Sequence, residues 1–141
     1  MKRYLALGVL VAAVAVFPAT ASARNPHEVP NNEITCTLVA GPAVSCSGSI
    51  AGLGTGDVII QIDANLACET RPRSNQPGGH LQGTSEPITP RGGRVNFENV
   101  TTDVASCPAG LNPVVGDTAT INVFDAETGA LLFTTTVAIT S

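Results

Sequence analysis

The sequence predicts an all-β protein: an antiparallel two-sheet sandwich of immunoglobulin-like type, with about seven short strands and two disulfides. Three observations favour this class. Apolar and polar residues alternate with a period of two in several segments, as in half-buried strands. Gly and Pro separate these segments. Four Cys, an even number, follow a leader typical of exported chains. A barrel is the alternative architecture.

The first 23 residues have the three regions of a Sec-type signal peptide. Lys2 and Arg3 give a positive start, an apolar stretch runs over residues 4–17, and Ala21-Ser22-Ala23 offers a small-residue cleavage site. We therefore expect cleavage after Ala23 and a secreted, extracellular protein. Residues 24–33 are polar and contain two Pro, and they are expected to form a flexible tail ahead of a single domain at residues 34–141.

Composition disfavours several classes of partner. After residue 23, five Arg stand against eleven Asp and Glu, which gives a formal net charge of −6. Such an acidic chain is a poor partner for nucleic acid or for an anionic membrane. Its only aromatic residues there are three Phe, so it has few rings on which bases or sugars can stack.

The clearest strand lies between Asp57 and Cys68. Its even-numbered positions are all apolar and its odd-numbered positions are mostly polar, so one face is buried and includes Cys68. Later strands are predicted at 94–100, 118–124 and 130–139, the last two joined by a turn from Asp125 to Gly129. A weaker strand at 85–89, interrupted by Pro, suits a sheet edge.

Two shorter strands, 34–38 and 43–50, flank a turn at Ala40-Gly41-Pro42. Folding this hairpin about Gly41 places Cys36 directly opposite Cys46, with both sulfurs on the buried face. The sequence therefore predicts a Cys36–Cys46 disulfide, which leaves Cys68–Cys107 as the second pair.

The chain resembles a loosely defined group of small exported bacterial β-rich proteins that have no established activity. The resemblance covers residues 34–139 and rests on the segments Thr35–Leu38, Ser45–Gly54, the long strand ending in Cys68, Pro77–Gly79 and Cys107-Pro108. Several relatives carry Cys-x-Asn-x-Gly-Gly after the long strand. Here Glu69-Thr70-Arg71 follows Cys68, and the Gly pair comes later. The resemblance implies a β-rich fold and export from the cytosol, but it implies no mechanism.

Residues 69–93 form the most unusual stretch, and we interpret them as a long irregular loop. With Arg94, the stretch holds four of the five Arg that follow residue 23. It supplies a candidate interaction surface made of Arg71, Arg73, His80, Arg91 and Arg94. The alternative is a solvated loop anchored by Cys68, with His80 as an exposed loop side chain.

Nothing in the sequence predicts catalysis or a cofactor. Neither a G-x-S-x-G nor an H-E-x-x-H motif occurs, and the Cys and His spacing does not fit a metal site. We expect a non-enzymatic structural or protein-interaction module that uses the 69–93 loop to contact an unknown extracellular macromolecule. One alternative is a small-ligand carrier with an apolar cleft lined by Ile59, Phe124 or Leu132. Another is an enzyme inhibitor that presents Arg71 or Arg73.

Overall fold

A computed structural model describes residues 25–69 and 75–141, and these ranges contain strands and no helix. The all-β prediction is therefore confirmed. Eight strands follow one another along the chain: β1 (His27–Glu28), β2 (Thr35–Val39), β3 (Ala43–Ala51), β4 (Val58–Glu69), β5 (Asn75–Thr84), β6 (Val95–Thr101), β7 (Asn112–Asp125) and β8 (Leu131–Thr140).

The strands pair in the order β1-β3-β2-β8-β7-β4-β5, and β6 pairs with β3. All pairings are antiparallel except that of β2 with β8, where Cys36 lies beside Ile139 and Thr37 beside Thr140. This short parallel contact joins the β1, β2, β3 and β6 group to the β8-β7-β4-β5 group. Cys46 pairs with Cys36 on one edge of β3 and with Val100 on the other.

Strand β4 is central to the second group and alternates as the sequence predicts. Its residues Val58, Ile60 and Ile62 are fully buried, and they pack in one apolar cluster with Ile121 and Val123 of the neighbouring β7. Val44 and Ile50 of β3 belong to the same cluster. The two strand groups thus share one core.

Both predicted disulfides are present. Cys36 pairs with Cys46 across the β2–β3 hairpin with Cα atoms 4.1 Å apart, and Cys68 pairs with Cys107 with Cα atoms 5.8 Å apart. The hairpin register is the predicted one, with Cys36 directly opposite Cys46. Two disulfides indicate an oxidising environment of the kind found outside the cytosol.

The segment before β2, where a flexible tail is expected at residues 24–33, forms hydrogen bonds with β3 in its described part. Within the described residues 25–33, β1 pairs with the end of β3, and Val29 is buried. The Val29 amide donates to the Ser49 carbonyl, and a Glu28 carboxylate oxygen accepts the Ile34 amide at 3.0 Å. The segment thus completes the hydrogen bonds along one edge of β3.

The prediction of one long loop at 69–93 is wrong, because β5 occupies much of it and pairs with nearly the full length of β4. The strand predicted at 85–89 is reduced to one bridge between Ile88 and Val58. Strand β7 begins at Asn112, six residues before the predicted start at 118. In each case, pairing with β4 decides where a strand forms.

The C-terminal end of β5 lies against the end of β6 and the chain that follows it. The Asp103 amide donates to the Gln82 carbonyl at 3.0 Å. A Cβ atom placed on Gly83 would lie 2.3 Å from the Thr101 carbonyl oxygen, so only Gly fits this approach. This contact brings an outer strand of one group against an outer strand of the other.

Candidate functional site

The structure separates the predicted interaction residues that it describes, because His80 lies apart from Arg91 and Arg94. Arg71 and Arg73 lie outside the described residues. His80 is on β5, opposite Asn65 of β4, whereas Arg91 and Arg94 follow the bridge between Ile88 and Val58. Seven residues of β4 separate these two points, which corresponds to roughly 23 Å along a strand. The described part of the predicted surface is therefore two separate sites.

Arg91 and Arg94 flank a two-residue turn, which we call the arginine turn (residues 91–94). The backbone amide of each residue donates to the carbonyl of the other, at 2.9 and 3.1 Å. Gly92 and Gly93 between them have φ values of 61° and 77°. Two consecutive positive φ values define a type I′ turn, which favours Gly at both positions.

This turn holds two guanidinium groups next to each other. Residues that exchange both backbone hydrogen bonds carry their side chains on the same face, with Cβ atoms about 5 Å apart. Both arginines are exposed and line one shallow concavity of about 360 Å³, together with Ile88, Thr89 and Val95. Within the part of the chain that the structure describes, neither arginine forms an ion pair or a side-chain hydrogen bond. The pair is therefore available to a carboxylate or another oxyanion.

His80 is a strand residue rather than the loop residue that was expected. Its Nδ1 lies 2.7 Å from Asp63 Oδ1, and Gln82 Nε2 donates to Asp63 Oδ2 at 2.9 Å. The His80 side chain is 59% exposed and that of Asp63 is 25% exposed. The histidine thus has a carboxylate partner on the open face of the sheet.

The surface around this pair is not predicted by the sequence. A shallow concavity of about 260 Å³ lies on the outer face of β5, β4 and β7 and is lined by Asp63, Asn65, His80, Thr118, Thr120 and Asn122. The alternation of β4 placed Asp63 and Asn65 outward, but only the pairing of non-adjacent strands places the β7 residues beside them. Alternation over residues 80–84 was the local signal that could have indicated β5.

Of the apolar residues suggested for a carrier cleft, Ile59 and Phe124 lie together at one end of the same outer face, whereas Leu132 packs against the buried core. Ile59 pairs directly with Phe124, and both are half-buried, as is Leu132. The concavities formed by the arginine turn and by the His80 surface lie elsewhere and are lined by other residues.

Within residues 25–69 and 75–141, no group of three or more His, Cys, Asp or Glu side chains is arranged to hold a metal ion. The same residues contain no helix that is long and apolar enough to cross a membrane.

Comparisons with known proteins show no family for this chain. Neither the scan of protein-family models nor the search of curated proteins found a match. Among solved structures, the chain is similar to a Bacteroides uniformis β-glucuronidase with 12% sequence identity and a TM-score of 0.35. The alignment covers 73% of this chain but only 12% of the glucuronidase. A likeness of this size establishes neither a fold nor an activity.

Proposed function

We propose that the chain is a secreted, non-enzymatic interaction module that binds an acidic surface of another extracellular macromolecule through the arginine turn. The scaffold is a two-sheet sandwich of immunoglobulin-like type, exported by a Sec-type signal at residues 1–23. It belongs with the small exported β-rich proteins that its sequence resembles. The unpartnered guanidinium pair on a rigid turn is the observation that carries this proposal.

Strand pairing supports the sandwich. One layer consists of β6, β3 and then both β1 and β2, which pair with different parts of β3. The other layer consists of β8, β7, β4 and β5. Buried side chains from both sets, such as Val44, Ile50, Ile60 and Ile121, form a single cluster, as expected between two facing sheets. The parallel β2–β8 contact and the Asp103–Gln82 hydrogen bond then mark the two places where the layers meet.

Charge and rigidity support the arginine turn as the contact surface. The chain after residue 23 is acidic, so two adjacent cations without an internal partner in the described structure are exceptional on it. Because the type I′ turn sets the backbone between them, the backbone part of the conformational entropy lost when a partner binds is small. Arg pairs with carboxylates in a bidentate geometry, which favours an acidic protein surface as the partner.

Capture from the producing organism tests this proposal. The exported protein, carrying an affinity tag, is crosslinked to secreted and surface proteins of its own host. Captured proteins are quantified for the wild type and for Arg91→Gln/Arg94→Gln. We expect the double variant to lose an acidic partner by about tenfold or more, since each charge-assisted hydrogen bond contributes about 1.5–3 kcal/mol.

Thr35→Glu/Thr37→Glu is the matched control. It changes the net charge by the same −2, at two exposed positions of β2 that are distant in sequence from the turn. The control should capture the same partner as the wild type. The proposal is wrong if the arginine variant retains every captured partner, or if the control loses the partner to the same extent.

A further inference from the structure

We infer that the concavity around Asp63 and His80 is a second binding site, one for a neutral polyhydroxylated ligand such as a carbohydrate chain. It lies on the β5-β4-β7 face, away from the arginine turn, and does not depend on the function proposed for that turn. We call it the polar concavity and define it by its six lining residues: Asp63, Asn65, His80, Thr118, Thr120 and Asn122.

Irregular strand pairing creates this depression. Along β4 and β7, Ala64 pairs with Ala119 and Leu66 pairs with Val115, so Asn65 alone faces residues 116–118. Such bulges bend a strand and redirect its side chains, and they are frequent next to binding sites. Gly116 leaves room for Asn65, because a Cβ atom there would lie 3.3 Å from the Asn65 Cβ. The bulge therefore lies at one end of the polar concavity, where Asn65 and Thr118 line it.

The chemistry of the lining selects a neutral ligand. All six side chains are polar, which leaves no apolar wall for a hydrophobic molecule. Asp63 repels anions. Its two oxygens accept hydrogen bonds from His80 and Gln82, and no second acidic side chain among the described residues lines the concavity, so it is a poor site for a free cation. Charge complementarity thus points to an uncharged partner.

The remaining groups can both donate and accept hydrogen bonds. Thr118 and Thr120 offer hydroxyls, while Asn65 and Asn122 offer amides. A sugar presents hydroxyls that also donate and accept, at similar spacing on each ring. The volume of about 260 Å³ lies just below the usual range for a small-molecule pocket and suits one unit of a chain rather than a large enclosed ligand. Without an aromatic platform in the lining, we expect binding in the millimolar range.

Nuclear magnetic resonance (NMR) tests the site directly. The labelled, oxidised protein is titrated with neutral oligosaccharides built from glucose, mannose, galactose or N-acetylglucosamine, one series at a time. At least one series should shift the side-chain amide signals of Asn65, Asn122 and Gln82 in a saturable way. The signals of the arginine turn should stay in place, which separates this site from the proposed interaction surface.

Variants then locate the contact. Asn65→Ala should weaken binding about fivefold, the effect of losing about one hydrogen bond. Thr120→Val, which keeps the shape and removes the hydroxyl, should do the same. Thr37→Val, on exposed β2, should leave the affinity unchanged. An unchanged melting temperature shows that each variant is folded. The inference is overturned if no series shifts the named amides, or if neither Asn65→Ala nor Thr120→Val weakens binding.

Discussion

Two buried hydroxyl side chains link neighbouring segments of the chain through hydrogen bonds. The fully buried Ser49 hydroxyl accepts from Asn32 Nδ2 and donates to Asn96 Oδ1, which links the chain before β2 to β3 and β6. Thr102 is buried in a similar way, with its Oγ1 accepting the Val44 amide at 3.0 Å and donating to the Asp103 carbonyl. Each hydroxyl satisfies polar groups that water does not reach, so each is costly to remove.

Thr102→Val tests this at the residue scale. Valine has nearly the same shape but leaves the buried Val44 amide unpaired, so the free energy of unfolding should fall by about 1–3 kcal/mol. Urea denaturation of the oxidised protein measures the change. The neighbouring Thr101→Val is the control, because the Thr101 hydroxyl is exposed, and it should cost about 0.5 kcal/mol or less. Equal effects of the two substitutions would refute this role for Thr102.

At the scale of elements, local pattern predicts some strands and misses others. The alternation over 57–68 and the Gly41-Pro42 turn were enough to predict β4 and the exact Cys36–Cys46 register. Strand β5 was missed because Pro77, Gly78 and Gly79 are poor strand formers, and its pairing with β4 overrides that preference. The interpretation of residues 69–93 as one long loop leaves no place for the arginine turn, although Gly92-Gly93 is a hairpin signal.

Gly83→Ala tests how β5 is held at its end. The added Cβ would meet the Thr101 backbone at 2.3 Å, and backbone cannot move aside as a flexible side chain can. We expect a loss of about 3 kcal/mol in the free energy of unfolding, the upper end for overpacking, and faster hydrogen exchange of the Asp103 amide.

Gly116→Ala is the control for that substitution. Its added Cβ would meet a side-chain carbon at 3.3 Å, so the loss should be about 1 kcal/mol or less. If Gly83→Ala is no more destabilising than Gly116→Ala, or leaves the Asp103 exchange rate unchanged, the contact does not hold β5 in place.

For the molecule as a whole, the two disulfides and the single apolar core stabilise the fold. The disulfides span 10 and 39 residues, and loop-closure entropy alone corresponds to contributions of about 2.7 and about 3.9 kcal/mol to the free energy of unfolding.

The sequence predicted both disulfide pairs and the all-β class. It could not predict the His80–Asp63 pair or the polar concavity, because these depend on which strands lie side by side across long stretches of chain.

The central claim is that the arginine turn binds acidic surfaces, and NMR mapping with a defined probe tests it most directly. A glutamate-rich peptide is titrated into the labelled protein, and a lysine-rich peptide of equal length serves as the control. If the arginine turn binds acidic surfaces, we expect shifts centred on the Gly92 and Gly93 amides and the Nε–H signals of Arg91 and Arg94. These shifts should diminish as salt is added and should be absent with the lysine peptide. Shifts that are centred elsewhere, or that are equal for both peptides, would contradict it.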